Sequence, residues 1–284
     1  MKHDLTIESY RAWESYGIDE GFKAIKEAGF DGADVSFYWE AAKAFLGDDY
    51  REKAREIKAA LDKYGLSHHQ AHAPFSFTQG MEPDDSVWDY LIIKRAIEAC
   101  SIIGIDQIVV HGIPVLPFPN VSKENVRRNI EFYKGLEPTA AKFGVRILVE
   151  NGGRFMSYPD LLNDVVNELN PEHFGALVDV GHAWLVANMQ PGEFIRQLTP
   201  GILYGLHIQD NHGAGYGVDE HIPPYLGTVD FDDLIEALRE VEYEGDFTIE
   251  VPKFLSFYAD KGLLDPALTF TCAVGRKLVD DLEV

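Results

Sequence analysis

RILVENGG, residues 146–153, is the stretch on which the reading of the fold turns. Side chains along a β-strand alternate between two faces. Ile147 and Val149 therefore share one side, and Leu148 and Glu150 the other. The first pair suits a covering layer of helices, while the glutamate closes the opposite side at the strand's end. Just upstream, Gly144 ends a stretch of helical period, as a left-handed C-cap does.

The same unit repeats outward in both directions. Strands are predicted over Asp4–Glu8, Gly32–Phe37, Ser67–Ala73, Gln107–His111, Arg146–Glu150, Gly175–Val180, Leu203–Ile208 and Phe247–Val251. Helical periodicity fills 19–29, 50–65, 84–104, 122–144, 158–170, 191–201, 230–245 and 264–282, and Gly29, Gly65 and Gly104 end helices as Gly144 does. Strands that alternate with helices call for a parallel sheet with right-handed crossovers. Eight such units in 284 residues predict an α/β fold, a (β/α)8 TIM barrel. No linker or low-complexity segment divides the chain, so one domain over 1–284 is expected.

Composition narrows the function. The chain carries 25 Lys+Arg against 47 Asp+Glu, a formal net charge of −22. Such a surface repels phosphate backbones and anionic lipid, so neither nucleic acid nor membrane is an expected partner. The N-terminal MKHDLTIESYRAWE has no apolar leader, and no apolar run reaches membrane-spanning length. Cys100 and Cys272 lie far apart and suggest no disulfide framework, so a reducing cytoplasm is the expected location.

In a barrel the active site forms where strands run into the loops that follow them. Alternation puts Glu150 with Leu148, Asp179 with Leu177, His207 with Gly205 and Glu250 with Thr248, each polar residue facing the lumen at its top. His72 in HHQAHAPF and His111 in IVVHGIP follow the same parity. Taken singly, each would read as a hydrogen-bonded or ion-paired core residue. Together they bring three carboxylates and an imidazole to one place, with Lys and Arg nearly absent from these strand ends. Unpaired buried anions are prohibitively costly. A divalent cation removes that cost and suits mixed oxygen and nitrogen donors.

These residues resemble the xylose-isomerase-like TIM-barrel superfamily, which holds sugar isomerases and epimerases alongside endonuclease IV. The carrying motifs are HAPF (His72), VVHG (His111), LVEN (Glu150), VDVGHA (Asp179, His182), LHIQDN (His207), DEHIPPYLGTVDF (Asp219, His221) and IEVP (Glu250). The resemblance implies one divalent ion, Mn²⁺ first and Co²⁺, Mg²⁺ or Zn²⁺ next, on Glu150, Asp179, His207 and Glu250. It implies that Glu150 and Glu250 act as acid and base, and that His182 touches the substrate. His72, His111, Asp219 and His221 join His182 as expected substrate-binding residues.

The run GLHIQDNHGAGYGVDEHIPPYLGTVDF, 205–231, then reads as a strand end followed by a loop folded over the site. Relatives carry roughly H-x-P-x-G-x-G-x-V-D-F there; this chain has His221, Pro223, Tyr225, Gly227, Val229, Asp230 and Phe231. Tyr225 replaces the first glycine, which bears on the loop's conformation and the width of the pocket. Asp210 and His212 are expected to cap the loop. His3, His68, His69 and His173 are expected at the surface or in packing. Tyr38, Trp39, Phe75, Phe77 and Trp184 are candidates to wall the substrate, and Arg11, Arg154 and Lys253 are isolated cations near strand ends.

The expected activity is metal-dependent isomerisation or epimerisation of a sugar or sugar-like ketone by proton transfer, with a small sugar as partner and homo-oligomer formation open. Two alternatives stand beside it. The nine-ligand pattern of endonuclease IV, which implies three zinc ions and cleavage at abasic DNA, lies on His72, His111, Glu150, Asp179, His182, His207, Asp219, His221 and Glu250. A lyase or dehydratase acting on a keto-sugar would use the same site.

Overall fold

A computed structural model of the chain describes residues 3–37, 45–74, 88–113, 123–152 and 156–284. Tyr38, Trp39, Phe75, Phe77 and Arg154 lie outside the described residues. Eight parallel strands close into a barrel in chain order. They are β1 (Leu5–Glu8), β2 (Gly32–Ser36), β3 (Gln70–His72), β4 (Gln107–Val110), β5 (Arg146–Glu150), β6 (Phe174–Asp179), β7 (Leu203–Ile208) and β8 (Phe247–Ile249). β8 pairs in turn with β1, Thr6 opposite Thr248, which closes the ring.

The described helices cover the outside. After β1 come α1 (Tyr10–Tyr16) and α2 (Ile18–Ala28), then α3 (Tyr50–Tyr64) after β2 and α4 (Trp88–Ile103) after β3. After β4 and β5 come α5 (Lys123–Phe143) and α6 (Pro159–Val166). β6 leads into α7 (Val180–Leu185) and α8 (Pro191–Arg196), and β7 into α9 (Phe231–Glu240). α10 (Pro252–Ala259) and α11 (Leu264–Glu283) follow β8. Helix ends follow the glycine signals: Gly65 sits at φ 62 and its N–H returns to Leu61 and Asp62 carbonyls.

Only β5 and β7 keep the predicted bounds; the differences at β3, β6 and β8 have a visible cause. Ser67 reaches Gly32 only through an isolated bridge, so β3 begins at Gln70. Val180 leaves β6 because the Asp179 carboxylate accepts the His182 N–H at 2.7 Å and starts α7 one residue later. β8 ends at Ile249, yet the Glu250 N–H still donates to the Ile208 carbonyl at 3.0 Å. That bond holds Glu250 against β7 before Pro252 opens α10.

Alternation divides the strands cleanly. Leu5, Ile7, Val35, Ile108, Val110, Ile147, Val149, Val178, Leu206, Ile208 and Ile249 belong to the core between barrel and helices. Val109, Leu148 and Leu177 form a separate cluster inside the lumen. Under the other half of the barrel the lumen is polar: Thr6 Oγ1 donates to Thr248 Oγ1 at 2.9 Å, and Gln70 Nε2 reaches Asp34 Oδ2 at 3.2 Å and Thr248 Oγ1 at 3.3 Å. Two residues above this floor stand Glu8, Ser36, His72, His111, Glu150, Asp179, His207 and Glu250, one per strand.

Gly205 is the floor residue of β7, and a Cβ there would lie 2.7 Å from Gln70 Oε1, 2.9 Å from Leu148 Cδ1 and 3.0 Å from Leu177 Cδ1. Gly205→Ala should therefore lower stability by about 1–3 kcal/mol, as overpacking does. The measurement is the midpoint of chemical denaturation; an unchanged midpoint would contradict this packing of the lumen.

Candidate metal centre and active site

Every strand-end residue singled out from the sequence faces the barrel mouth. Glu150, Asp179, His207 and Glu250 are buried and offer one ligand atom each, all within 4.8 Å of one another. His207 Nδ1 lies 3.3 Å from Glu150 Oε1 and 3.4 Å from Glu250 Oε2. Ligand atoms about 2.0–2.2 Å from one ion sit about 3–3.6 Å from each other, so these separations suit donors arranged around a cation. Asp179 Oδ2 has no hydrogen-bond partner although it is buried. An anionic oxygen in that position calls for a positive ligand. The donor set, three carboxylates and an imidazole, fits a divalent ion.

The remaining site residues form further groups around that cluster. His72, His111 and Glu150 bring ligand atoms together on one side, and Asp179, His182 and His221 on the other. His111 Nε2 approaches Glu150 Oε2 to 2.6 Å, and His72 Nε2 lies 3.2 Å from His111 Nε2. Across the site, His221 Nε2 meets Asp219 Oδ2 at 3.1 Å and His182 Nε2 lies 3.7 Å from Asp219 Oδ1. Four of the five residues expected to bind substrate, His72, His111, His182 and His221, are thus also disposed as donors, while Asp219 stands against His182 and His221.

Several donors are oriented by a second contact. His72 Nδ1 bonds the Ala73 carbonyl at 2.7 Å, and His221 Nδ1 the Glu250 carbonyl at 3.0 Å. His207 Nε2 lies 3.3 Å from Gln70 Nε2, while its Nδ1 faces Glu150 and Glu250. Asn151 braces Asp179 twice, accepting its N–H at 2.6 Å and donating to its carbonyl at 2.9 Å. Gln209 Nε2 donates to Asp179 Oδ1 at 3.1 Å, and His182 Nδ1 lies 3.6 Å from Oδ2. Glu8, Asp34, Gln70, Asn151 and Gln209 escaped the sequence reading. Applying the same alternation to LTIE and GADVS would have found the first two; the amides carry no such signal.

The loop after β7 is pinned by Asp210. Its carboxylate accepts the N–H groups of Asn211 at 2.8 Å, Gly227 at 2.7 Å and Val229 at 3.0 Å. His212 bonds Glu220 at 2.8 Å, so both residues cap the loop. Tyr225, where the family pattern carries glycine, adopts a left-handed backbone, φ 70, with its ring half-exposed against Phe231. Trp184 Nε1 donates to Thr228 Oγ1 at 2.9 Å, which ties α7 to the loop. Lys253 lies 3.5 Å from Asp219 Oδ2, while Arg11 pairs with Glu14 on the same helix. His3 packs against Tyr243 and Phe247 beneath the barrel.

Charge in the site is balanced by imidazolium. Burial alone would lower His207, but the Glu250 and Glu150 carboxylates raise it to about 10. His221 is likewise raised to about 9, against burial, by its bond to Asp219 and the Glu250 charge. Burial pushes Glu150 up, yet the His111 and His207 charges win and its carboxyl lies well below the ordinary range. Asp179 is the exception: burial raises it to about 6 in spite of His182 and His221.

A model of the family described as xylose isomerase-like TIM barrel matches residues 22–267. The chain belongs to that family. An uncharacterised protein of Methanocaldococcus jannaschii is 30% identical over 190 residues, 63% of this chain and 62% of that relative, so the match spans less than two thirds of its length. The L-ribulose 3-epimerase of Methylomonas sp. strain DH-1 is 24% identical over 280 residues, 95% of this chain and 88% of the enzyme. The crystal structure of the IolI protein with a bound zinc atom matches this xylose isomerase-like barrel with a TM-score of 0.76 at 18% identity, covering 97% of this chain and 98% of that one. That likeness is one of fold. Among the described residues no helix is long and apolar enough to cross a membrane.

Two predictions follow from the geometry of this site. The folded value of His207 exceeds the ordinary value of about 6.5. Its proton therefore stabilises the metal-free protein fully below about pH 6.5, and that contribution is lost as pH rises through about 10. A cation needs the same nitrogen bare. Metal binding at pH 7 should release at least one proton, and affinity should rise from pH 7 toward 10. Calorimetry in buffers of different ionisation heat measures this; no proton release would place the ion away from His207. For the loop, Asp210→Ala should cost about 1–3 kcal/mol per stranded N–H. Hydrogen exchange should speed up across 211–230 while barrel amides stay protected, whereas uniform exchange would deny Asp210 its pinning role.

Proposed function

We propose that the chain is a divalent-metal-dependent sugar epimerase or isomerase acting on an unphosphorylated ketose or closely related polyol ketone. The observation that carries this reading is the cluster of Glu150, Asp179, His207 and Glu250, two glutamates from β5 and β8 flanking one imidazole nitrogen. The L-ribulose 3-epimerase relative supports the sugar substrate class. A divalent ion held by these four residues, manganese first among the candidates, supplies Lewis acidity for the substrate carbonyl and its neighbouring hydroxyl.

The chain's own groups move the proton. One glutamate takes it from the carbon beside the carbonyl, and the other returns it through an enediolate. His111, lowered by burial against the pull of Glu150, stands 2.6 Å from Glu150 Oε2 and orients that carboxylate. Return from the opposite side inverts the carbon, giving epimerisation. Return on one face with a histidine shuttle gives aldose–ketose isomerisation. The acidic surroundings, with Lys253 turned to Asp219, favour a substrate without phosphate. Cys100 and Cys272, both buried free thiols, fit work in a reducing cytoplasm.

The His72–His111–Glu150 and Asp179–His182–His221 groups favour a second reading, a multinuclear hydrolase of the endonuclease type. The net charge of −22 weighs against a DNA substrate. Elemental analysis and incision of an abasic oligonucleotide separate the readings: one ion and no incision supports the epimerase, three zinc ions with efficient incision the nuclease. A keto-sugar lyase or dehydratase would show itself as loss of water or chain cleavage in the product.

Glu150→Gln and Glu250→Gln should each reduce turnover of a ketose by about a thousandfold, within the span of general-base effects, with metal content falling less than activity. In a two-base epimerisation each variant exchanges the substrate proton with deuterium on one epimer only. Full activity in either variant would remove that glutamate from the chemistry.

A further inference from the structure

Among the described residues, Glu8 is the strand-end carboxylate that neither the ion cluster nor the proton transfer uses. It ends β1, two residues beyond Thr6, whose hydroxyl bonds Thr248 inside the lumen, so Glu8 stands above that bond in the ring of strand-end residues. It is 2% exposed and belongs to none of the ligand groups. Its Oε2 accepts the Tyr10 N–H at 3.0 Å, while its buried Oε1 has no hydrogen-bond partner. Burial and the neighbouring Glu250 charge raise its carboxyl well above the ordinary range, against the pull of Arg11.

The position decides what such a group meets. The four proposed ion ligands come from β5 to β8, and His72 and His111 stand over β3 and β4. For a ketose with its carbonyl and adjacent hydroxyl over the first set, the strand ends left beside His72 and His111 for its remaining carbons are those of β1 and β2. There Ser36 is already committed to Asp34, at 2.8 Å. Among the strand-end side chains of β1 and β2, Glu8 Oε1 is the buried atom left without a hydrogen bond. A buried polar atom without a partner is a standing cost unless a ligand supplies one. A sugar hydroxyl, donor and acceptor at once, matches a carboxyl group in a way a phosphate or carboxylate does not.

Resting on the epimerase reading, we propose that Glu8 binds a substrate hydroxyl outside the reacting pair and so sets which ketoses the site accepts. Binding a hydroxyl this way rejects analogues that lack it, because the site's polar atom is then stranded. The alternative is that Glu8 serves only to accept the Tyr10 N–H at the start of α1.

The test uses the metal-loaded full chain with L-ribulose, D-allulose and D-fructose, and with deoxy analogues of the best substrate at each carbon outside the reacting pair. Wild type should discriminate against one deoxy ketose by about tenfold or more in kcat/KM. Glu8→Ala should lose that discrimination to within about threefold, mainly through KM, while keeping its metal. Glu8→Gln, which retains an acceptor for Tyr10 and a donor for the hydroxyl, should restore part of it. Equal discrimination in wild type and Glu8→Ala, with only a lower Tm, overturns the proposal and leaves the cap. Should Glu8→Ala not fold, infrared difference spectra decide. The carboxyl band present in wild type and absent in Glu8→Gln shifts on adding ketose if the proposal holds, and an unmoved band overturns it. Absence of turnover of every ketose by wild type would instead sink the epimerase reading itself, and this assignment with it.

Discussion

Three carboxylates, Glu150, Asp179 and Glu250, are buried in one another's reach at the mouth of the barrel. Like charges so placed repel, and taking them out of water adds to the cost. No Lys or Arg among the described residues contacts them; the positive charge beside them comes from His182, His207 and His221, which are raised for that reason. An imidazolium can be exchanged for a metal ion by losing its proton, which an ammonium or guanidinium at these positions could not do at neutral pH. Compensation by histidine is therefore what makes this a site rather than a buried salt bridge.

Much of the nearby structure serves to hold those donors against their repulsion. The Asn151 brace on the Asp179 backbone and the carbonyl bonds of His72 and His221 each hold a donor residue in place. Close approaches on the floor make this possible. Gly205 admits Gln70 beneath His207, and Gly181, where a Cβ would lie 2.3 Å from Gln209 Nε2, admits that amide beneath Asp179. The same economy of space appears in the loop, where a single carboxylate, Asp210, satisfies three backbone N–H groups and holds His221 in reach of the site.

The barrel is asymmetric for a related reason. Beneath β4 to β6 the lumen is filled by Val109, Leu148 and Leu177, which give a dry wall behind Glu150 and Asp179. Beneath β1 to β3 and β8 it is a hydrogen-bonded set of Thr6, Asp34, Gln70 and Thr248. A low-dielectric wall strengthens the electrostatics of the carboxylate–imidazole cluster.

Local rules made a good share of this legible from the amino acids alone. Period-2 alternation in RILVENGG and its seven counterparts, with glycine caps between, determined the eight units and the inward parity of Glu150, Asp179, His207, Glu250, His72 and His111. Strand length was harder to read, because Asp179 ends β6 by capping α7 with its own side chain and because the Glu250 N–H keeps a ladder bond beyond β8. What the chain could not reveal by spacing was which residues meet across the lumen. Glu8, Gln70, Asn151 and Gln209 acquire their roles from neighbours 28 to 178 positions away or from the burial that closure brings. Tyr225 shows the limit in the other direction: its residue type argues for a changed loop, and the fold holds it at φ 70 all the same. Alternation and caps act within a strand or a turn, so sequence displays them; desolvation and cross-strand bonding exist only once the ring has closed.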